Sequence, residues 1–160
     1  LLDRGDRVRV LVRRDGQAVT ELEELGAEIA YGDVTDAGSV VSAMDGCTEV
    51  YHCAALVDPF HWNLSDYDRI NVDGTRNVMD AARATGVQRV LHMSSIAALG
   101  AEPGLRADEF TRPHGPWKPG YGRSKFESEE LVRAAAGEMH AFEFSFALTD
   151  FSARELHPSR

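Results

Sequence analysis

Short apolar runs alternate with amphipathic helical segments over the first hundred residues, and this alternation restricts the fold more than any other feature. Four runs have the composition of strands, at residues 8–12, 27–31, 49–55 and 87–93. Helical periodicity and end signals mark the segments 18–25, 36–44 and 66–85, and a further helical segment follows at 121–136. Strands that alternate with helices form βαβ units, so we predict the α/β class and a doubly wound parallel sheet with helices on both faces. The third run is almost wholly apolar, which predicts a strand buried on both faces.

The helix ends carry signals of their own. We expect Asp36 or Ser39 to cap the second helix and Ser65 the third, because short polar side chains accept hydrogen bonds from the first unpaired amides of a helix. Gly86 is expected to end the third helix, because glycine readily adopts the left-handed conformation found after many helices.

The residues that follow the four strand runs form a second pattern. They are Arg13 and Arg14, Asp33 and Val34, Ala54 and Ala55, and Ser94 and Ser95. Each pair alone is compatible with a solvated turn or with ordinary packing. In a doubly wound sheet, however, the carboxyl ends of the strands meet at one edge, where ligands bind. Four such pairs at four successive strand ends therefore predict a ligand site.

Tyr121 and Lys125 lie four residues apart at the start of the last helical segment. This spacing places two side chains on the same face of a helix, about one turn apart. A phenol with a pKa of roughly 10 is a poor proton shuttle at neutral pH, and a fixed ammonium beside it favours the phenolate. The pair is therefore a candidate general acid/base. The alternative is an exposed tyrosine beside a solvated lysine.

Composition excludes several classes of function. The net charge of −9 argues against general binding to nucleic acid or to an anionic membrane. No apolar run approaches the roughly 20 residues of a membrane span. The two cysteines, Cys47 and Cys53, form neither a CxxC nor a zinc pattern, so we expect both to be reduced and buried in a cytoplasmic protein.

Five stretches carry a resemblance to a known family. They are Gly32–Asp36, Tyr51–Ala55, Asn71–Asn77, His92–Ser95 with Gly100 five residues later, and Tyr121–Lys125. With these stretches in this order, the chain resembles the extended short-chain dehydrogenase/reductase family, also called the NAD-dependent epimerase/dehydratase family. The segments 55–59 and 94–100 are most similar to its dihydroflavonol-reductase-like and 3β-hydroxysteroid-dehydrogenase-like branch.

The resemblance implies roles for the candidate catalytic residues. Tyr121 would donate or accept the proton at the substrate oxygen, and Lys125 would hold the nicotinamide ribose and assist the tyrosine. Ser95 would hydrogen-bond the same substrate oxygen, with its neighbour Ser94 as the next residue to test. The nicotinamide itself would carry the hydride.

The resemblance also implies a set of cofactor contacts. Asp33 and Val34 would contact the adenine, and the small Ala54 and Ala55 would let the cofactor approach the backbone. Asn71 would steady the active-site end of its helix, or else it is a solvated polar position.

The end of the first strand bears on the choice of cofactor. NAD-binding relatives usually place an acidic residue there for the ribose 2′-hydroxyl, whereas an arginine accommodates a 2′-phosphate. Val12 occupies that position here, and Arg13 and Arg14 follow. The pattern favours NADP, while the nearby Asp15 keeps NAD open.

The comparison with the family also defines what the sequence does not contain. The family opens with a strand and a Gly-x-x-Gly-x-x-Gly turn that leads into a pyrophosphate-binding helix. We therefore expect a partial Rossmann-like domain at residues 1–136 that lacks the first strand and the glycine-rich turn. Residues 137–160 are expected to be a tail with no counterpart in the family, such as a shifted reading frame would produce. Alternating apolar residues from Phe142 to Leu148 nevertheless predict a half-buried strand there.

The resemblance implies an NAD(P)-dependent oxidoreductase or epimerase/dehydratase that acts at a carbonyl or alcohol carbon. Its substrate would be a small carbonyl or alcohol compound or a nucleotide sugar, and a homodimer is one expected assembly. Two alternatives stay open: a non-catalytic NAD(P)-sensing or interaction domain, and an inactive fragment of the enzyme. Phe60, Trp62 and Trp117 would either line an apolar substrate pocket or pack within their loops.

Overall fold

Parallel strands and intervening helices make up the chain in the order that the sequence predicts. The computed structural model describes residues 1–14, 16–58, 61–100, 113, 115, 117, 119–135 and, by their backbone, 140–146. The strands are β1 (Arg9–Val12), β2 (Glu28–Tyr31), β3 (Glu49–His52), β4 (Arg89–Ser95) and β5 (His140–Phe146). The helices are α1 (Gln17–Glu24), α2 (Ala37–Met44), α3 (Leu64–Tyr67), α4 (Gly74–Thr85) and α5 (Tyr121–Ala135). Short 3₁₀ turns occupy Leu2–Arg4 and Ile96–Leu99, and a π-helical segment, Asp68–Asp73, joins α3 to α4.

The strands form two parallel sheets. β1 pairs with β2, and β4 lies between β3 and β5 in the second sheet. No strand hydrogen bonds join β1 to β3 within the described part of the chain. The α/β class with parallel strands is thus confirmed.

The third strand differs from its prediction. β3 ends at His52 instead of continuing to residue 55. Tyr51 is 45% exposed, so the expected burial on both faces is wrong. Among the described residues β3 pairs with a neighbour along one edge only.

The long helical segment of the middle of the chain starts earlier than predicted. Asn63 is its cap instead of Ser65: the Asn63 side chain accepts a hydrogen bond from the Ser65 amide at 3.3 Å. The predicted cap of α2 is correct, because Asp36 accepts a hydrogen bond from the Gly38 amide at 3.0 Å. Gly86 ends α4 in the left-handed conformation, with φ at 73°.

One apolar core connects the helices to both sheets. Its buried members come from α2, α4, β4, α5 and the connection between α4 and β4: Val40, Met44, Val78, Met79, Ala81, Ala82, Val87, Val90, Val132 and Ala135. Leu11 of β1 and Val50 of β3 pack against this cluster. Helices α2 and α4 therefore hold the two sheets in one structure through side-chain packing.

The predicted strand near the end of the chain is present. β5 pairs in parallel with β4 from the Arg89–His140 pair to the Ser95–Phe146 pair. Residues 147–160 lie outside the described residues, and the proposed division at residue 136 stays a prediction.

Candidate active site

The end of β4 and the start of α5 lie against each other. Ser95, the last residue of β4, caps the Ile96–Leu99 turn by accepting a hydrogen bond from the Ala97 amide at 3.2 Å. Tyr121 is the first residue of α5, and a Cβ built on the next residue, Gly122, would stand 2.9 Å from the Ala97 carbonyl oxygen. The first turn of α5 therefore packs directly on the turn that Ser95 begins.

Lys125 follows Tyr121 by one helical turn and is buried, with 2% of its surface exposed. Its ammonium donates a hydrogen bond to the Met93 carbonyl oxygen at 2.7 Å and lies 3.3 Å from Nε2 of His92. Lys125 thus reaches from α5 to the strand that ends at Ser95. The alternative of a solvated lysine is wrong.

The two serines at the end of β4 have different surroundings. Ser94 donates its hydroxyl hydrogen to the buried carboxylate of Glu129, which also pairs with Arg133 at 2.8 Å. Ser95 uses its oxygen as an acceptor from Ala97, and its hydroxyl donates to no other residue that the structure describes. The two neighbouring hydroxyls therefore differ in which hydrogen bonds they make.

Asn71 lies in the π-helical segment and is 1% exposed, so it is not a solvated position. Its side chain accepts a hydrogen bond from the Leu56 amide at 2.7 Å and donates to the Leu56 carbonyl at 3.1 Å. It also donates to Ser124 Oγ at 2.9 Å, and Ser124 in turn donates to the Tyr121 carbonyl at 2.8 Å. Asn71 therefore connects the segment after β3 to the first turn of α5.

Asp33 and Val34 lie just beyond the end of β2. The Asp33 carboxylate accepts hydrogen bonds from the Thr35 amide at 2.9 Å and the Thr35 hydroxyl at 2.8 Å. The hydrogen bond from the Thr35 backbone amide is the main cause that lowers the pKa of Asp33, and the positive charge of Arg13 lowers this pKa further. The carbonyl of Val34 accepts a hydrogen bond from Asn77 at 2.9 Å. The ionised Asp33 carboxylate is thus held by hydrogen bonds from Thr35, two residues later in the chain.

The strand ends that carry the other candidate cofactor residues face solvent to different degrees. Arg13, Arg14 and Ala54 are exposed, whereas Ala55 is half-buried. Because residues 71–77 contact both Val34 after β2 and Leu56 after β3, the carboxyl ends of these two strands lie on the same side of the molecule. Asp15 lies outside the described residues.

A buried polar cluster beneath the site was not predicted from the sequence. His52 and His92 occupy paired positions of β3 and β4, and their ring centroids are 5.2 Å apart. His52 lies 3.0 Å from Thr75 Oγ1, and His92 lies 3.2 Å from Ser128 Oγ. One sequence signal could have predicted this cluster, namely the run of polar residues at helical spacing in α5. These polar residues face the core instead of water.

Both histidines are neutral at physiological pH. Burial lowers the pKa of His52 to about 4, and the charge of Lys125 adds to the effect. Burial and the charges of Lys125 and His52 lower the pKa of His92 to about 2. The charge of Lys125 thus acts on both rings in the same direction as their burial.

The aromatic and cysteine predictions have mixed outcomes. Trp117 stacks on Phe126 with ring centroids 3.9 Å apart and donates to the Ala98 carbonyl at 3.0 Å, so it packs against α5. Trp62 is 89% exposed, and Phe60 lies outside the described residues.

Neither cysteine forms a disulfide, but the predicted burial is wrong because Cys53 is exposed and Cys47 only half-buried. Among the residues described, no helix is both long and apolar enough to span a membrane.

Comparisons with known proteins identify relatives of this chain. It is 40% identical over 134 residues to sterol demethylase protein B of Methylococcus capsulatus, covering 82% of this chain and 40% of that protein. It is 37% identical over 147 residues to the mouse 3 beta-hydroxysteroid dehydrogenase type 7, covering 86% of this chain and 40% of that protein. The chain thus spans about two fifths of the length of these relatives.

A solved structure supports the fold. The UDP-glucose 4-epimerase from Brucella ovis in complex with NAD superposes with a TM-score of 0.73 at 26% identity, covering 89% of this chain and 45% of that one. This likeness confirms the Rossmann-like α/β fold. The sequence profile of the 3-beta hydroxysteroid dehydrogenase/isomerase family matches residues 1–145, which confirms the predicted branch and extends beyond residue 136. The chain therefore belongs to the 3-beta hydroxysteroid dehydrogenase/isomerase family.

Proposed function

We propose that the protein containing this chain is an NAD(P)-dependent oxidoreductase or epimerase/dehydratase with Ser95, Tyr121 and Lys125 as its catalytic residues. One observation carries the proposal. Tyr121 and the buried Lys125 lie one turn apart on α5, and the first turn of this helix packs on the turn that Ser95 caps. The helix that carries Tyr121 and the ammonium of Lys125 thus both contact the end of β4 that carries Ser95, which supports a shared role in proton transfer.

The residues divide the proton chemistry between them. Tyr121 donates its hydroxyl proton to the substrate oxygen during reduction, or accepts that proton during oxidation. The Lys125 ammonium stabilises the phenolate that forms, because an opposite charge favours the ionised state. Ser95 donates a hydrogen bond to the same oxygen and stabilises the charge that develops there.

The strand ends suit a nicotinamide dinucleotide. The exposed guanidinium of Arg13 provides a charged donor for a phosphate, and the small side chains of Ala54 and Ala55 permit close approach to the backbone. The Asp33 carboxylate provides an acceptor for hydroxyl or amino groups. When bound, the nicotinamide supplies or receives the hydride. We propose NADP as the preferred cofactor because Arg13 and Arg14 follow β1, with NAD as the alternative.

Substrate class and assembly form a further part of the proposal. The substrate is a small carbonyl or alcohol compound, or a nucleotide sugar as in the name of the Brucella ovis relative. The protein forms a homodimer, which sedimentation equilibrium would test. The two free cysteines favour the cytoplasm as its compartment.

Turnover by a matched pair of variants tests the proposal. The protein that contains this chain is assayed with NADPH and NADH against panels of ketones and nucleotide sugars. Tyr121→Phe removes the acidic hydroxyl and is expected to reduce kcat by roughly 10² to 10⁴, the usual contribution of a general acid/base. Tyr31→Phe, an exposed tyrosine outside the site, is the control. Full turnover by Tyr121→Phe would remove the catalytic proposal, and cofactor binding without any turnover would favour a sensing domain.

A further inference from the structure

His92 is a buried side chain for which the proposed reaction has no role. Its Nε2 lies 3.3 Å from Nζ of Lys125 and 3.2 Å from Oγ of Ser128. Its Nδ1 has no hydrogen-bond partner among the described residues. A neutral imidazole carries a proton on only one nitrogen. Nε2 therefore either accepts a hydrogen bond from Lys125 or donates one to Ser128.

The hydrogen bonds of the neighbours decide between these two states. The Ser128 hydroxyl donates to the Lys125 carbonyl at 2.8 Å, so toward His92 its oxygen is an acceptor. The Lys125 ammonium is a donor only. A proton on Nε2 would point toward this buried positive charge, whereas a lone pair there accepts a charge-assisted hydrogen bond, the stronger kind. The arrangement favours the ring with its proton on Nδ1.

We propose that His92 is a positioning residue that holds the ammonium of Lys125 through Nε2, with its ring in the Nδ1–H tautomer. Together with the Met93 carbonyl, which accepts from Nζ at 2.7 Å, His92 fixes the ammonium one helical turn from Tyr121. The importance of this position for the reaction depends on the proposed function. The hydrogen bond between Lys125 and His92 and the tautomer of His92 do not depend on the proposed function.

His52 provides a comparison within the same cluster. Its Nε2 lies 3.0 Å from Thr75 Oγ1. The Thr75 hydroxyl donates to the Asn71 carbonyl at 2.6 Å, so toward His52 its oxygen is an acceptor. His52 must then donate from Nε2. The two adjacent histidines therefore have opposite tautomers, which is a more specific expectation than burial alone provides.

Long-range ¹⁵N–¹H NMR of the protein that contains this chain, ¹⁵N-labelled at histidine, reports the tautomer of each ring. His52→Gln and His92→Gln assign the signals. The expected result is an Nδ1–H signature for His92 and an Nε2–H signature for His52. In Lys125→Met the cation is lost, and His92 is expected to change to Nε2–H and donate to Ser128, while His52 stays as it was. Arg4→Met removes an exposed cation that pairs with Asp6; it is the control and is expected to change neither ring.

An Nε2–H signature for His92 in the unmodified chain overturns the proposal, and so does an Nδ1–H signature that survives Lys125→Met. The unmodified chain alone decides the first point, so the test holds even if Lys125→Met fails to fold.

Kinetics of the active protein test the positioning role separately. Gln at position 92 places an amide oxygen near the site of Nε2, whereas Asn reaches only the site of Nδ1. We expect His92→Gln to retain kcat and His92→Asn to lower it by roughly tenfold to a hundredfold, the effect of a misplaced catalytic group, with KM little changed. Equal losses in both variants would overturn the role. Full turnover by Tyr121→Phe would instead overturn the proposed function and leave the tautomer result intact.

Discussion

Gly122 packs so closely on Ala97 that a Cβ at position 122 would stand 2.9 Å from the Ala97 carbonyl oxygen. Gly122→Ala must therefore push the first turn of α5 away from the turn that follows Ser95. We expect a loss of stability of about 1–3 kcal/mol, as for other overpacked sites, measured by urea unfolding. We also expect a loss of kcat larger than the fraction unfolded explains, because Tyr121 moves relative to Ser95.

Gly38→Ala is the matched control for this prediction. Gly38 lies in α2, and the nearest atom to a Cβ there is Asp36 Oδ1 at 3.4 Å. Alanine is the better helix former, so this variant is expected to be neutral or slightly stabilising. Equal effects of the two substitutions would show that the contact with Ala97 does not constrain α5.

The adjacent serines of β4 are expected to respond in opposite ways to alanine substitution. Ser95→Ala removes the proposed donor to the substrate oxygen and is expected to lower kcat by roughly 10² to 10³ with little change in melting temperature. Ser94→Ala removes a partner of the buried Glu129 carboxylate and is expected to cost about 1–3 kcal/mol of stability with a small effect on kcat. Steady-state kinetics and urea unfolding separate the two, and the reverse pattern would assign the catalytic role to Ser94.

Burial of the two histidines makes stability dependent on pH. Their folded pKa values, about 4 for His52 and about 2 for His92, lie below the roughly 6.5 of an unfolded histidine. The unfolded chain therefore binds more protons below that pH, and stability present above pH 6.5 is lost as the pH falls toward 4. Each histidine contributes a slope of about 1.4 kcal/mol per pH unit in this window.

Urea unfolding at pH 7, 6 and 5 measures this slope. A variant with both His52→Gln and His92→Gln is expected to be less stable at pH 7, because glutamine does not reproduce the ring packing. Its stability should also change much less between pH 7 and 5. A slope as steep as that of the unmodified chain would show that other groups cause the acid sensitivity.

Arg13 is expected to decide between the two dinucleotides. Arg13→Ala should weaken NADPH binding by roughly tenfold to a hundredfold, which corresponds to one hydrogen bond to a charged group, and leave NADH binding unchanged. Fluorescence titration of the protein that contains this chain provides both dissociation constants. Arg4→Ala removes a comparable exposed guanidinium, one that pairs with Asp6 at 2.7 Å, and should alter neither. Tighter binding of NADH than NADPH by the unmodified protein would contradict the proposed preference.

The parallel α/β fold followed from the sequence because two periodicities alternate in it, and each depends only on local composition. The ends of the elements were less predictable. Asn63 and Ser65 are both good helix caps, and only the backbone path shows that Asn63 accepts the hydrogen bond. The length of β3 depended on its neighbours, because residues 53–55 have strand-like composition but no strand partner among the described residues.

The candidate site, like the fold, was predictable from the sequence only in its local features. The Tyr121–Lys125 spacing is local, so the sequence predicted it. The surroundings of Lys125 are not local. His92 meets it across 33 positions of the chain, and His52 lies beside His92 only because of the register of β3 with β4. In sequence, Ser128 and Glu129 resemble the solvated face of a helix, and burial against β4 makes them part of the site instead.

The helical segment from Leu64 to Thr85 has a mechanical consequence. Within the described residues no backbone ladder connects the two sheets, while this segment bonds to Val34 beyond one sheet and to Leu56 beyond the other. Local opening of the segment would release both strand ends together. We therefore expect the two sheets to open as a single cooperative unit through this helix, so that amide exchange at the ends of β2 and β3 shares one free energy of opening.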